Sequence, residues 1–440
     1  MPYQIEHLPV RQLKPYERNA RTHSRKQVKL IARSIERFGF TNPILVDRTD
    51  RIIAGHGRVA AAKLLGMESV PAIRLEHLTD DEVRALVLAD NQLALKAGWD
   101  KETLALELQG LMDLQFDVSL TGFEIGEIDL ILEEAAEAMG PDPLSGDDAA
   151  PALADRVVSR PGDLWHLGAH RLVCGDARDA AAYAALMGEE RATFVITDPP
   201  YNVPIQGHVS GLGKTRHREF AMASGEMSEG EFTAFLKDVF GRLAAFSVDG
   251  SIHMHCMDWR QMSEMLAAGH AVYTELKNLI VWNKTAAGMG TFYRSKHELV
   301  FAWKHGSAPH INTFELGQHG RHRANVWDYA GVNTFGASRM EELSMHPTVK
   351  PVALIADAVK DCSGRGDIVL DSFCGSGTIL IACEKTGRRA RAIEFDPRYV
   401  DVAVRRWQDH TGRRATLAAT GESFEEVEET RGTGVTGVGA

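Results

Sequence analysis

The sequence predicts an α/β protein with a doubly wound, mostly parallel sheet, preceded by a smaller α+β block. Three observations predict it. Short apolar runs alternate with amphipathic stretches long enough to be helices. Two of those runs end in turns that no strand can continue, one rich in glycine and one holding two consecutive prolines. The chain has 440 residues, more than the ~100–200 of one domain. Its acidic stretch from Glu133 to Asp155 has almost no large apolar residue, so it cannot bury enough to order itself. The expected layout is a first domain over 1–135, an acidic linker over 136–159, a second domain over 160–410 and a flexible tail over 411–440.

Charged residues make up 25% and hydrophobic ones 44%. That composition excludes a largely disordered chain, a collagen-like fibre and a disulfide miniprotein. No apolar run approaches the ~20 residues that span a membrane. The first residues lack the basic-then-apolar layout of a secretory signal. Cys174, Cys256, Cys362, Cys374 and Cys383 are scattered with no CxxC pair, which fits a reducing, cytoplasmic setting. A net charge of −11 argues against a uniformly basic nucleic-acid coat and leaves room for local basic patches.

In the first block, strands are expected over 43–47 and 51–54, joined at Thr49 and Asp50. Gly55-His56-Gly57-Arg58 follows, between strand and helix, where backbone N–H groups and an arginine can hold a phosphate. A helix over 59–65 stops at Gly66, and a strand covers 70–75. Upstream, Val28, Ile31, Ile35 and Phe38 have helical spacing. Arg11 to Arg37 carry nine Lys/Arg against two Glu, either a solvated helix face or a contact for phosphate or nucleic acid.

The second block begins with a strand over 193–197 that ends at Asp198-Pro199-Pro200-Tyr201. A helix over 231–246 and strands over 251–255, 279–282 and 298–303 follow. A strand over 367–370 runs into Asp371-Ser372-Phe373-Cys374-Gly375-Ser376-Gly377-Thr378 and a helix, then come a strand over 391–394 and a last helix from Asp396.

The glycine turn is a binding device, because glycine lets backbone approach a ligand and the helix N-terminus favours a negative group. It lacks the third glycine of a dinucleotide fingerprint and the lysine of a phosphate-binding loop, which disfavours both ligands. Glu394 ends the next strand, placed to accept hydrogen bonds from ribose hydroxyls. A tight turn without a ligand is the alternative. Cys374 reads as a small packing residue.

The Pro-Pro turn holds a carboxylate, a carbonyl and an aromatic face in one stiff loop. This set suits an exocyclic amine on a base. Asp198 can accept one N–H and the Pro199 carbonyl the other, while Tyr201 stacks on the ring. A plain turn with an N-cap aspartate is the alternative.

Residues 160–410 resemble the amino-methylating DNA methyltransferases that use S-adenosylmethionine. Asp198-Pro199-Pro200-Tyr201 matches that family's catalytic motif, and Asp371 to Thr378 its cofactor motif. His346-Pro347-Thr348-Val349-Lys350-Pro351 matches its HPTxKP segment, and the motif order is that of the β group. The resemblance implies a methyltransferase (Rossmann-like) sheet and S-adenosylmethionine held by Asp371, Phe373, Gly375, Gly377, Thr378 and Glu394. It adds Thr348, Lys350 and, against the cofactor's adenine, Asp176. It implies a flipped base of double-stranded DNA as substrate and adenine N6 as target, because Asp at the first motif position leans toward adenine; cytosine N4 is the alternative. Lys214, Arg216, Arg218, Arg321 and Arg323 are the expected DNA contacts, with target recognition within 305–345. The histidines lack zinc spacing, and no metal is required.

Residues 5–95 resemble the N-terminal domain of the ParB/sulfiredoxin superfamily through Asn19-Ala20-Arg21, the 34–39 segment, the 43–46 strand and Gly55 to Arg58. The resemblance implies a nucleotide at Gly55, His56, Gly57 and Arg58, although Gly57 stands where the family's box has Arg or Glu. It also suggests a rival function, a non-catalytic DNA-binding regulator, which would not need both intact motifs of the second block. No clear helix-turn-helix is read between residues 80 and 135. Fusions of these two domains resemble phage and prophage modification enzymes. A homodimer and a restriction or phage partner stay open.

Overall fold

Strand β1 (Ile5–Pro9) opens the first unit, followed by helix α1 (Arg25–Phe38), β2 (Ile44–Val46), β3 (Ile52–Ala54), α2 (His56–Leu64) and β4 (Ser69–Arg74). Helices α3 (Asp80–Lys96), α4 (Lys101–Asp113) and α5 (Ile125–Ala138) complete it. The computed structural model describes residues 4–114, 116–138, 147–151, 153–154, 156–202, 225–285, 293–313, 323–331 and 349–433. Two units separate, 1–140 and 141–440.

In the first unit the strands form a sheet of order β1-β4-β2-β3, with β1 antiparallel and β2 parallel to β4. Leu8, Val10, Ile44, Val46, Val59, Val70 and Ala72 fill its core. Asp47 closes the turn between β2 and β3 by accepting from the Thr49 and Arg51 amides and from Arg51 Nε. Helix α2 starts at His56, earlier than the apolar spacing suggests. Gly55, at φ 100°, starts it in a left-handed conformation that a side chain would resist.

The second unit holds β5 (Leu164–Leu167), β6 (His170–Cys174), α6 (Ala180–Met187), β7 (Ala192–Thr197), α7 (Glu229–Ala245), β8 (Ser247–Met257) and α8 (Met262–Val272). It continues through β9 (Glu275–Asn283), β10 (His297–Lys304), β11 (Val326–Asp328), α9 (Val352–Cys362), β12 (Ile368–Asp371), α10 (Thr378–Thr386), β13 (Arg389–Glu394), α11 (Pro397–Thr411), β14 (Thr416–Leu417) and α12 (Phe424–Thr433). The sheet order is β11-β9-β10-β8-β7-β12-β13-β6-β5-β14. The central run β8-β7-β12-β13-β6 is parallel, and antiparallel strands β10 and β5 flank it.

Alternate residues of each central strand enter one of two cores. On one face Phe194, Ile196, Val369 and Ala392 meet α9, α10 and α11; on the other Val195, Leu370 and Ile393 meet α6, α7 and α8. This is the doubly wound architecture expected. Chain direction sets where it opens. From β12 the chain passes through α10 to β13 on one side, and from β7 through α7 to β8 on the other. The windings diverge between β7 and β12, so a crevice opens at their carboxyl ends, where such sheets bind ligands.

Two expectations about boundaries need correction. The acidic stretch is not all linker. Helix α5 runs on to Ala138 because Leu130, Leu132, Glu133, Glu134 and the alanines are strong helix formers. Further along, Asp148 accepts from the Val352 amide at 2.8 Å and the Asp147 carbonyl from Arg406 at 2.6 Å, so these acids are anchored to the second unit. Nor are residues 411–433 a frayed tail. β14 pairs with β5, and Phe424 and Val427 are buried, with Phe424 against Trp165. Arg431 pairs with Asp163 at 2.5 Å. The Gly, Thr and Glu of that stretch mask the few apolar residues that dock it.

Candidate active site

The carboxyl ends of four neighbouring parallel strands supply the expected residues. β7 leads into Asp198, β12 ends at Asp371, β13 at Glu394, and β6 is followed by Asp176. The Pro-Pro loop and the glycine turn therefore leave adjacent strands. Thr197 Oγ donates to Asp371 Oδ1 at 2.7 Å and joins them directly. The same Asp371 oxygen accepts the Phe373 amide at 3.0 Å.

In the glycine turn, Gly375 lies at φ 53° and Gly377 at φ 86°. A Cβ at Gly377 would stand 2.9 Å from Ala403 Cβ, so only glycine lets the start of α10 pack on α11 here. Glu394 accepts the Gly375 amide at 2.8 Å on one oxygen and the Asp396 amide at 2.9 Å on the other. Burial pushes the Asp371 and Glu394 carboxyls up to about 7 each, against those amide hydrogen bonds. Asp176 is held by a fork from Arg178, with Nη2 at 2.7 Å and Nε at 3.0 Å. Burial also drives the Cys374 thiol well above its ordinary value, so it stays protonated.

A buried charge cluster surrounds the Pro-Pro loop. Lys350, only 5% exposed, places Nζ 2.6 Å from Asp198 Oδ2, 3.0 Å from Glu298 Oε2 and 3.1 Å from the Tyr201 hydroxyl. Tyr201 Oη lies 2.7 Å from Asp198 Oδ1 and 3.0 Å from Glu298 Oε2. Lys284 pairs with the other Glu298 oxygen. Both ammoniums flank the Trp282 ring, Lys284 at 4.6 Å and Lys350 at 5.8 Å from its centre. Burial raises the Asp198 carboxyl, and Lys350 opposes that pull. On Glu298 burial also works upward, but Lys350 and Lys284 overcome it and hold the carboxyl at about 2. Burial would lower Lys350, but Asp198 and Glu298 overcome it and raise the ammonium. Next along the chain, Asn202, at φ 50°, accepts from the Gly225 and Met227 amides and donates to the Met227 carbonyl. That tie pins the end of the loop.

Residues 192–405 match the family described as DNA methylase. These residues are a DNA methylase domain. Ahead of the methylase domain, residues 2–92 match the ParB N-terminal domain and 102–161 the ParB-methyltransferase HTH domain. In the N-terminal part the chain is 54% identical over 78 residues to the ParB-like nuclease domain-containing protein YnaK of Escherichia coli (strain K12), covering 18% of this chain and 90% of that one. The type II methyltransferase M.HpaI of Haemophilus parainfluenzae is 26% identical over 256 residues, 54% of this chain and 73% of that enzyme. The DNA adenine methyltransferase YhdJ of Escherichia coli (strain K12) is 39% identical over 82 residues, 19% of this chain and 26% of that enzyme.

Not every expected site residue falls where the sequence suggested. The Lys350 side chain is spent on Asp198, Tyr201 and Glu298, although its carbonyl lies 3.5 Å from Thr378 Oγ on the cofactor turn. Arg323, expected to meet DNA, is engaged inward: it pairs with Asp361 at 3.0 Å and lies over the Trp327 ring at 4.8 Å. Arg58 donates to the Asn42 and Pro43 carbonyls, at 2.6 and 3.2 Å. His56 accepts the Tyr16 amide at 3.3 Å. A Cβ at Gly57 would stand 3.0 Å from Ile31 and 3.1 Å from His23, so glycine replaces the family's larger residue where space is short. Lys214, Arg216, Arg218, Arg321 and Thr348 lie outside the described residues.

Sequence reasoning missed Glu298, Lys284 and Asn202. Glu298 directly follows the basic run Arg294-Ser295-Lys296-His297, and nothing local sets it apart. The HTH domain was missed as well. Its helices α4 and α5 are joined by eleven residues, 114–124, that include a short 3-10 turn, and this spacing obscures the pattern. Among the described residues no His, Cys, Asp or Glu cluster could hold a metal, and no helix is long and apolar enough to cross a membrane.

Proposed function

We propose that the protein transfers a methyl group from S-adenosylmethionine to adenine N6 of a flipped base in double-stranded DNA. One observation carries this reading. The Asp198 loop and the glycine turn emerge side by side at the point where the windings diverge, joined by the Thr197–Asp371 hydrogen bond. A base amine held by the first can face a cofactor held by the second.

The residues present fit that cofactor. Glu394 keeps lone pairs beyond the two amides it accepts, which suits ribose hydroxyls. Gly375 and Gly377 leave two positions of the turn without a side chain, and Asp371, Phe373 and Thr378 frame it. Asp176 would reach the cofactor's adenine while shared with Arg178. When bound, S-adenosylmethionine supplies a methyl already activated by its sulfonium.

The chain's own work is to make the amine nucleophilic. The lone pair of an adenine amine is delocalised into the ring. Asp198 and the Pro199 carbonyl accept its two hydrogens, which localises that pair on nitrogen. Pro200 keeps the loop stiff, and Tyr201 covers the ring. Positioning and electrostatics carry the step, with no nucleophile needed from the protein. The buried, protonated Cys374 fits that role-free reading. Lys214, Arg216, Arg218 and Arg321 are proposed to meet DNA phosphates.

Asp at the first loop position and the likeness to an adenine methyltransferase support adenine over cytosine. Expression in cells with unmodified DNA, followed by methylation-sensitive long-read sequencing, tests the choice. N6-methyladenine at one recurring sequence is the expected result. N4-methylcytosine alone would overturn it.

A further inference from the structure

The transfer chemistry needs Asp198 and Tyr201, but it does not by itself call for Glu298. Yet this residue on β10 is 9% exposed and sits at the centre of the cluster. The Tyr201 hydroxyl has one hydrogen to give. Two carboxylates are within reach of it, Asp198 Oδ1 at 2.7 Å and Glu298 Oε2 at 3.0 Å. Lys350 can only donate to that hydroxyl, so the tyrosine's hydrogen goes to one carboxylate or the other. Asp198 Oδ2 is already taken by Lys350. With the tyrosine on Oδ1, both oxygens of Asp198 are occupied, and an incoming amine meets a weakened acceptor.

We propose that Glu298 is a positioning residue that draws the Tyr201 hydroxyl hydrogen away from Asp198 as the target base arrives, freeing Asp198 Oδ1 for the amine N–H. The inference rests on Asp198 being the amine's acceptor. The exchange is a rotation about the phenol C–O bond. No proton leaves the tyrosine, whose hydroxyl burial keeps protonated. Lys284 and Lys350 keep Glu298 ionised, so it can accept the hydroxyl hydrogen once the base competes for Asp198.

The test is a pairing of variants read by single-turnover transfer at saturating DNA and cofactor. Glu298→Gln keeps the shape but weakens the acceptor. It should slow transfer by about tenfold to a hundredfold, the worth of one hydrogen bond to a charged group. Tyr201→Phe removes the hydrogen that blocks Asp198. The double variant should therefore run faster than Glu298→Gln alone and match Tyr201→Phe. If Glu298 merely anchors Lys350, adding Tyr201→Phe will not restore the rate, and a double variant as slow as Glu298→Gln or slower overturns the proposal. Cofactor affinity by calorimetry should be unchanged in the single variants. Should Glu298→Gln melt early, Glu298→Asp, which keeps the charge but shortens the reach, takes its place with the same expected recovery. Failure of the underlying reading looks different: Asp198→Ala would then transfer at the wild-type rate.

Discussion

Asp198→Ala is expected to lose methyl transfer by at least about 10²–10³-fold while cofactor affinity stays within about twofold. The loss follows from geometry. Asp198 is the carboxylate of the Pro-Pro loop, and the neighbouring acids, Asp371 and Glu394, are committed to backbone amides of the glycine turn. Glu298, the other carboxylate of the cluster, is on β10 and paired with Lys284 and Lys350. Affinity is spared because the residues proposed to hold most of the cofactor sit on β12, β13 and the turn between β12 and α10. Lys350 keeps Glu298 as a partner, so the variant retains a paired ammonium. Single-turnover transfer and calorimetry check both halves. Normal turnover in the variant would remove Asp198 from the chemistry.

Lys350→Met should cost about 3–5 kcal/mol of stability in the second unit, as breaking a buried ion pair from one side does. It leaves Asp198 without its ammonium and Glu298 with Lys284 alone. The pH dependence has a definite sign. Lys350 pulls both carboxyls down, so its loss raises their folded-state values. A group raised in the folded state stabilises below its unfolded value, and that stability is lost as pH rises through the folded one. The defect should therefore be larger at pH 8 than at pH 5, where the orphaned carboxyls take up protons. Chemical denaturation at the two pH values measures it. An equal defect at both would mean that Lys350 does not set the charge state of this cluster.

Much of this site can be read from the chain because its two turns are local. Asp198 to Tyr201 and Asp371 to Thr378 each follow an apolar strand, and proline and glycine fix their conformations regardless of what packs around them. Period and caps also found most strands of the second unit to within a few residues. What escaped is non-local. Glu298 and Lys284 join the site because β10 and β9 are hydrogen-bonded neighbours, and Lys350 arrives from just before α9. No spacing in sequence encodes those encounters. Arg323 looked like a free cation because its partner Asp361 lies 38 residues away. The stretch beyond 411 misled for a different reason: Phe424 and Val427 are few, and their value lies in the Trp165 surface that receives them.

The proposed reaction requires that an amine of a base receive the methyl. Purified protein, labelled S-adenosylmethionine and duplex DNA, followed by digestion to nucleosides, measures that directly. The label is expected in N6-methyladenine. Label on a ring carbon, or none in DNA at all, would rule out amine methylation by this protein.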